Sequence, residues 1–156
     1  MKAINTVYKG YKFRSRLEAR WAVFFDALGL KWEYEKEGYV LPSGYYLPDF
    51  WIATVHMWAE VKPEDFDPNE YKLVCELAEH TSFAVLLLDG TPENRPYFGV
   101  LNKTVAYEFC LTNHHNYPQK ERRFYAEPAS YERGWDDTEQ AVVAARSARF
   151  EHGERP

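Results

Sequence analysis

The chain has 156 residues, of which 46% are hydrophobic and 17% aromatic, which is enough for one domain with a buried core. The net charge of −5 argues against a general nucleic-acid coat protein, and no apolar run approaches the ~20 residues of a membrane span. Cys75 and Cys110 do not make a disulfide framework, and the first residues lack the apolar core of a signal peptide. We therefore expect a cytoplasmic protein with no membrane partner.

Positive charge is concentrated at the start of the chain. The first twenty residues hold six basic residues against one acid, Glu18. Segment 8–14 interleaves aromatic and basic residues, which favours contact with nucleic acid, whereas an edge strand guarded by charges is the alternative interpretation. The candidate DNA contacts in this region are Lys9, Lys12, Arg14 and Arg16.

An apolar stripe at helical spacing predicts a first helix over residues 16–28. Ser15 is suited to be its N-cap, and Gly29 is suited to a left-handed stop. The stripe consists of Leu17, Trp21, Phe24 and Leu28.

Aromatic and β-branched residues follow, and they are typical of strands. Strands are predicted over 31–41 with a break near Gly38, over 46–53 and over 57–61, with a turn at Pro42-Ser43-Gly44.

A second helix and further strands come next. Asp67-Pro68 opens a helix predicted over 69–80, and the continuous apolar run 83–88 indicates a buried central strand. Further strands are predicted over 97–101 and 105–111. This order predicts an α/β or α+β fold with a mixed sheet flanked by helices.

The pattern becomes polar and loses its periodicity from about Thr112. We therefore predict a core domain over 1–111 and a C-terminal extension over 112–156 that packs on the core. The extension is expected to end in a helix over 138–151, with Asp136 or Asp137 as its cap.

The most informative pattern is Pro48-Asp49, ten residues, and then Glu60-Val61-Lys62. Side chains two apart on a strand share a face, so Glu60 and Lys62 project together. If the strands around Thr54-Val55 form a hairpin, opposing residue numbers sum to 109, and Asp49 faces Glu60 while Trp51 faces Trp58. A four-residue loop over 53–56 is favoured, since no residue there suits the positive φ of a two-residue turn.

Two facing carboxylates repel each other unless something compensates them. Mg²⁺ does this, because it takes oxygen ligands from one or two carboxylates and keeps several waters. Lys62, beside such a cation, is expected to have a lowered pKa and to orient or deprotonate a water. The alternative is a salt-bridge cluster on an exposed sheet face.

These residues resemble the signature of the PD-(D/E)xK nuclease superfamily, which has a restriction-endonuclease-like αβββαβ core. The resemblance covers roughly residues 11–90, and segment 13–18 and the following helix–strand pair also fit it. It implies a Mg²⁺-dependent endonuclease acting on DNA, with Mn²⁺ as a substitute. Asp49, Glu60 and the Val61 carbonyl would bind the metal, and Lys62 would be catalytic.

The resemblance extends to branches that add an acid from the first helix, the very-short-patch-like and transposon end-cutting nucleases. Glu18 would be that catalytic, metal-binding acid here. Ser15 and Glu18 also have the spacing of a capping box, which explains the glutamate without a metal. Lys72 on the second helix is a further candidate phosphate contact.

Members of this superfamily often pair two subunits, so a homodimer or a larger protein complex is a further expectation. A second hypothesis keeps the fold but not the catalysis. The protein would then be a DNA- or protein-binding module, for example a phage-type inhibitor. Its small size and acidic net charge motivate this alternative.

Overall fold

The computed structural model describes residues 5–93, 95, 97–102, 105–110, 124–125 and 135–150. The polar beginning of the predicted C-terminal extension, 112–123, lies outside the described residues.

An N-terminal hairpin precedes the first helix. Strands β1 (Thr6–Tyr8) and β2 (Tyr11–Phe13) pair antiparallel. Lys9 and Gly10 connect them with φ values of 48° and 82°. Positive φ at both central residues is the backbone that a two-residue hairpin turn requires. The basic and aromatic residues of segment 8–14 therefore lie on a hairpin.

Helix α1 (Arg16–Ala27) closely matches the predicted helix. The Ser15 hydroxyl accepts a hydrogen bond from the Glu18 amide at 3.1 Å, so Ser15 is the N-cap. Gly29 follows the helix with φ of 72°, the left-handed stop. Both boundary predictions are confirmed.

The next strands differ from prediction at one place. Tyr46 and Phe50 were expected on one strand, but Tyr46 ends a separate hairpin and Phe50 begins the next strand. Pro48 lies between them and has no N–H to donate to a continuous ladder. The strands are β3 (Trp32–Tyr34), β4 (Tyr39–Leu41), β5 (Gly44–Tyr46), β6 (Phe50–Ile52) and β7 (Met57–Lys62).

The remaining elements complete a mixed sheet of seven strands in the described part of the chain, in the order β3-β6-β7-β8-β9-β10-β11. The β7–β8 pair is parallel, and the β3–β6, β6–β7 and β8–β9 pairs are antiparallel. These elements are α2 (Pro68–Thr81), β8 (Val85–Asp89), β9 (Tyr97–Asn102), β10 (Val105–Cys110), β11 (Phe124–Tyr125) and α3 (Trp135–Ser147).

Helix α3 begins and ends before its predicted bounds. Because Asp136 and Asp137 lie inside the helix, neither caps it. In its last turn the Ser147 hydroxyl donates to the Val143 carbonyl at 2.7 Å, and Phe150 beyond the end is buried in the core. No described helix is both long and apolar enough to cross a membrane.

The two faces of the sheet bury different clusters. Phe50, Ile52 and Val61 belong to the cluster that includes residues of α1 and α3, whereas Trp51 and Trp58 belong to the cluster that includes residues of α2. Since side chains alternate along a strand, Glu60 and Lys62 share the α2 side with Trp58.

Candidate active site

The β6–β7 hairpin sets the register of the site. Phe50 pairs with Ala59, and Trp51 pairs with Trp58, so opposing residue numbers sum to 109 as predicted. The loop has four residues, also as predicted, but His56 in it has φ of 53°. Thr54 and Val55, the central residues of the two-residue turn that was not favoured, are not among the residues with positive φ, and histidine is one of the residues that tolerate the left-handed region.

Asp49 lies just before β6 and is buried, with 2% of its surface exposed. Its Oδ2 accepts a hydrogen bond from the Val61 amide at 2.8 Å, which ties the carboxylate to β7. Its Oδ1 accepts one from the Arg14 guanidinium at 2.7 Å. Both carboxylate oxygens of Asp49 therefore accept hydrogen bonds, one of them from the charged guanidinium of Arg14.

Glu60 on β7 is buried to a similar degree, at 5% exposed, but it is less well satisfied. Its Oε1 lies 3.5 Å from Lys62 Nζ. The Tyr46 hydroxyl faces the carboxylate and lowers its pKa. Even so, neither Tyr46 Oη nor Glu60 Oε2 has a hydrogen-bond partner of normal geometry within the described residues. A buried carboxylate oxygen without a donor costs free energy.

The two carboxylates influence each other's protonation. Burial raises the pKa of Asp49 well above its ordinary value, and the charges of Glu60 and Glu18 raise it further. Burial also raises the pKa of Glu60, against the opposing effects of Tyr46 and Lys62. The structure therefore brings Asp49 and Glu60 into one buried, electrostatically strained pair.

Lys62 ends β7 and lies between two glutamates. Its Nζ is 2.9 Å from Glu70 Oε1 on the first turn of α2 and 3.5 Å from Glu60 Oε1. Burial lowers the pKa of Lys62, but Glu70, Glu60 and Asp49 outweigh that effect and raise it. The predicted lowering of this pKa assumed a neighbouring cation; with carboxylates alone the direction is the opposite.

Arg14 bridges two acids at the edge of the site. Its guanidinium lies 2.7 Å from Asp49 Oδ1 and 2.8 Å from Glu35 Oε1, while more than half of its side chain stays exposed. This candidate DNA contact is thus the main countercharge to Asp49.

Glu18 has three donors near the site. Its Oε1 accepts from the Ser15 hydroxyl at 2.9 Å, and its Oε2 accepts from the Arg14 amide at 3.2 Å and from the Tyr34 hydroxyl. The reciprocal bond of a capping box would run to the Ser15 amide, and here the Arg14 amide replaces it. Glu18 is close enough to raise the pKa of Asp49, yet its own oxygens hold the turn before α1. Its metal-binding role stays a prediction.

The other candidate DNA contacts are on the surface. Lys9 Nζ lies 2.9 Å from Asp26 Oδ2, so it forms an exposed ion pair. Lys12 is exposed on β2, Arg16 at the start of α1 and Lys72 on α2. The structure does not gather these three with the carboxylates.

The donor set fits a hard cation in its chemistry. Carboxylate and carbonyl oxygens, such as those of Asp49, Glu60 and Val61, are the ligands that Mg²⁺ prefers, and Glu60 Oε2 is a buried acceptor without a hydrogen bond of normal geometry among the described residues. In the part of the chain that the structure describes, no group of three or more His, Cys, Asp or Glu side chains could hold a metal. A metal here would therefore depend on two carboxylates, a carbonyl and water.

Sequence reasoning missed two residues that shape the site. Glu70 belongs to a capping box with Asp67, which the spacing of the two residues indicates, but its bond to Lys62 depends on how α2 docks. Tyr46 was assigned to the wrong strand, so its approach to Glu60 was not foreseen. Comparison with protein-family models gives no match for this chain, and comparison with curated proteins gives none either.

Proposed function

We propose that this protein is a metal-dependent endonuclease that hydrolyses DNA phosphodiester bonds, with Asp49, Glu60 and Lys62 in its active site. The observation that carries the proposal is the buried Asp49–Glu60 pair. Burial raises both carboxyl pKa values, and one oxygen, Glu60 Oε2, makes no hydrogen bond of normal geometry within the described residues, although the Tyr46 hydroxyl and the Asp49 amide lie close enough to lower the Glu60 pKa. Proteins seldom keep such a pair unless it binds something positive.

The order of elements supports the proposal. Helix α1, strands β3, β6 and β7, helix α2 and strand β8 follow one another as in the αβββαβ core of PD-(D/E)xK nucleases. The β4–β5 hairpin is then an insertion between the first two core strands. The carboxylate pair and Lys62 lie at one end of β7, the central position that this core uses for catalysis.

Each residue has a distinct role in this proposal. Asp49, Glu60 and the Val61 carbonyl hold Mg²⁺ or Mn²⁺, which, when bound, polarises the phosphoryl oxygen and stabilises the leaving alkoxide. Lys62 is protonated at neutral pH, because its pKa is raised, so it donates hydrogen bonds and positive charge to the phosphate. Glu70 holds the Lys62 ammonium in place.

Arg14 and the β1–β2 hairpin approach the substrate backbone in the proposal. Arg14 neutralises Asp49 when no cation is bound, and its exposed guanidinium can pass to a phosphate when one is. Lys12 on the hairpin and Arg16 after it are exposed and can add positive charge for the DNA backbone, whereas Lys9 is paired with Asp26.

A cleavage assay tests the proposal. Purified protein is incubated with plasmid, single-stranded and branched DNA in Mg²⁺, in Mn²⁺ and in EDTA. Cleavage is expected only with metal, and Lys62→Ala should reduce it by at least about 100-fold. The matched control is Lys31→Ala, an exposed lysine just before β3 that has no role in the proposal. Equal cleavage by wild type and Lys62→Ala would indicate a contaminating nuclease and overturn the proposal.

A non-catalytic binding module is the second candidate, and the ion pairs favour it. Arg14 already neutralises Asp49, and Lys62 is already paired with Glu70, as in a structural salt-bridge cluster. Such a module would bind DNA or a protein in EDTA and cleave no substrate with either metal. Metal-dependent cleavage that requires Lys62 excludes it.

A further inference from the structure

We propose that an aromatic pocket on the same face of the sheet binds one unpaired nucleobase of the substrate strand. The pocket is a cavity of about 320 Å³, within the range of roughly 300–1,000 Å³ found for ligand sites. The proposal deepens the nuclease assignment, on which it depends for its substrate. The residues that carry it are Lys36, Tyr39, Trp51, Trp58, His80 and Phe83.

The pocket lies beside the carboxylate pair along the β6–β7 ladder. Trp51 pairs directly with Trp58, and the next positions on the same face are Asp49 and Glu60. Two residues along a strand span about 7 Å. A base in the pocket would therefore lie within about one nucleotide of a phosphate at the carboxylates.

The rings of the pocket pack against one another and leave Phe83 accessible for stacking. The Trp51 ring centroid lies 4.7 Å from that of Trp58 and 5.0 Å from that of Phe83. Tyr39 packs edge-on against Trp58 from the other side, with 5.7 Å between centroids. Phe83 is 41% exposed, so the rim is accessible while the tryptophans form the floor. Stacking on such rings accepts any base, because every base has a π-face.

Polar groups at the rim of the pocket suit a nucleotide. Lys36 Nζ lies 5.5 Å from the centre of the Trp51 ring and pairs with Glu33, a weak surface contact that a phosphate can replace. Glu37 also lines the pocket, where its carboxylate accepts a hydrogen bond from the Tyr39 hydroxyl at 3.0 Å and can accept another from an N–H of a base.

A quaternary ammonium group, the other ligand for an aromatic cage, suits this pocket less well. It can neither donate a hydrogen bond to Glu37 nor accept one from Lys36, whereas a base can do both. A base within a duplex is also excluded, since both of its faces are already stacked. The pocket therefore selects an unpaired base, either in a single strand or flipped from a duplex.

Binding in EDTA tests the pocket without cleavage. Fluorescence anisotropy compares a short oligothymidylate with an abasic strand of equal length. Phe83→Ala should weaken oligothymidylate binding by about 5- to 150-fold, corresponding to about 1–3 kcal/mol per stacked base. This variant should not change binding of the abasic strand.

Phe98→Ala, which alters an exposed phenylalanine on β9, is the matched control and should bind both strands as wild type does. The proposal is overturned if wild type does not prefer the oligothymidylate, if Phe83→Ala binds it normally, or if a trimethyllysine peptide displaces it. Lys62-dependent cleavage with unchanged binding in Phe83→Ala would overturn the pocket alone. Impaired binding without any cleavage would overturn the nuclease assignment and leave the pocket intact.

Discussion

Two glutamates of this protein are buried to the same extent, and their surroundings differ. Glu60 at the end of β7 and Glu76 on α2 are each 5% exposed. Glu76 accepts bonds from the Ser43 hydroxyl at 2.7 Å and from the Ser43 amide at 2.9 Å, so both of its oxygens are satisfied. Glu60 Oε1 lies 3.5 Å from the Lys62 ammonium, and its Oε2 makes no hydrogen bond of normal geometry within the described residues, although the Tyr46 hydroxyl faces the carboxylate.

The different surroundings of the two glutamates point to different roles. Glu76 fixes the β4–β5 turn to α2, and its hydrogen bonds account for its burial. Glu60 lies near Asp49, and burial raises its pKa against the opposing effects of Tyr46 and Lys62. A carboxylate that destabilises the fold where it lies is more informative about function than one that is well paired. Exchanging each glutamate for glutamine tests this contrast.

Cleavage activity should show the largest effect. Glu60→Gln removes a proposed metal ligand and should lower metal-dependent cleavage by at least about 100-fold, whereas Glu76→Gln should cleave as wild type does. Rates on plasmid and single-stranded DNA in Mg²⁺ measure this. Comparable losses in both variants would mean that the two glutamates do not differ in function.

The two variants should change the free energy of unfolding in opposite directions. Glu76→Gln places an amide N–H₂ against the Ser43 donors and should lower the free energy of unfolding by about 1–3 kcal/mol. Glu60→Gln removes a buried charge that faces Asp49 and should raise it by about 1 kcal/mol. Urea denaturation in EDTA at neutral pH measures both values. A clear loss of stability in Glu60→Gln would show that Glu60 is a structural residue.

The stability gain of Glu60→Gln should depend on pH. The pKa of Glu60 is raised in the folded protein, so the native state binds more protons than the unfolded chain above the ordinary value of 4.5. The stabilisation from protonated Glu60 is complete below that value and is lost as pH rises through the raised pKa. Glu60→Gln does not lose this stabilisation, so the difference in the free energy of unfolding between the variant and wild type should grow from acid toward neutral pH. A constant difference across this range in EDTA denaturation series would contradict the raised pKa.

The smallest effect is expected at Glu70. Glu70→Gln removes a carboxylate 2.9 Å from Lys62, the first of the interactions that raise the pKa of this lysine. The Lys62 pKa should fall, and the alkaline limb of the cleavage–pH profile should move to lower pH with a few-fold loss of rate. Glu79→Gln, an exposed acid on the same helix, is the control. An unchanged profile would show that Glu70 does not position Lys62.

The backbone of the site could be predicted from the sequence, because it depends on residues that are close together in the chain. Ser15 and Gly29 bound α1 through their own conformational preferences, and alternation along β6 and β7 determines that Trp51 faces Trp58. The register follows from the requirement that apolar side chains share a face.

The rest of the site depends on contacts distant in sequence. Glu70 reaches Lys62 only because α2 docks over the end of β7, and Arg14 reaches Asp49 across 35 positions of the chain. Two features did have local sequence signals. Gly10 in the Lys9-Gly10 pair indicates the turn of the β1–β2 hairpin. Pro48 indicates the break between β5 and β6.

Calorimetric titration with Mn²⁺ tests the central claim most directly. Wild type and Glu76→Gln should bind the ion with the same affinity, while Glu60→Gln and Asp49→Ala should each lose more than about tenfold. Equal binding by all four proteins, or no binding by wild type, would contradict the assignment of the Asp49–Glu60 pair as a metal site.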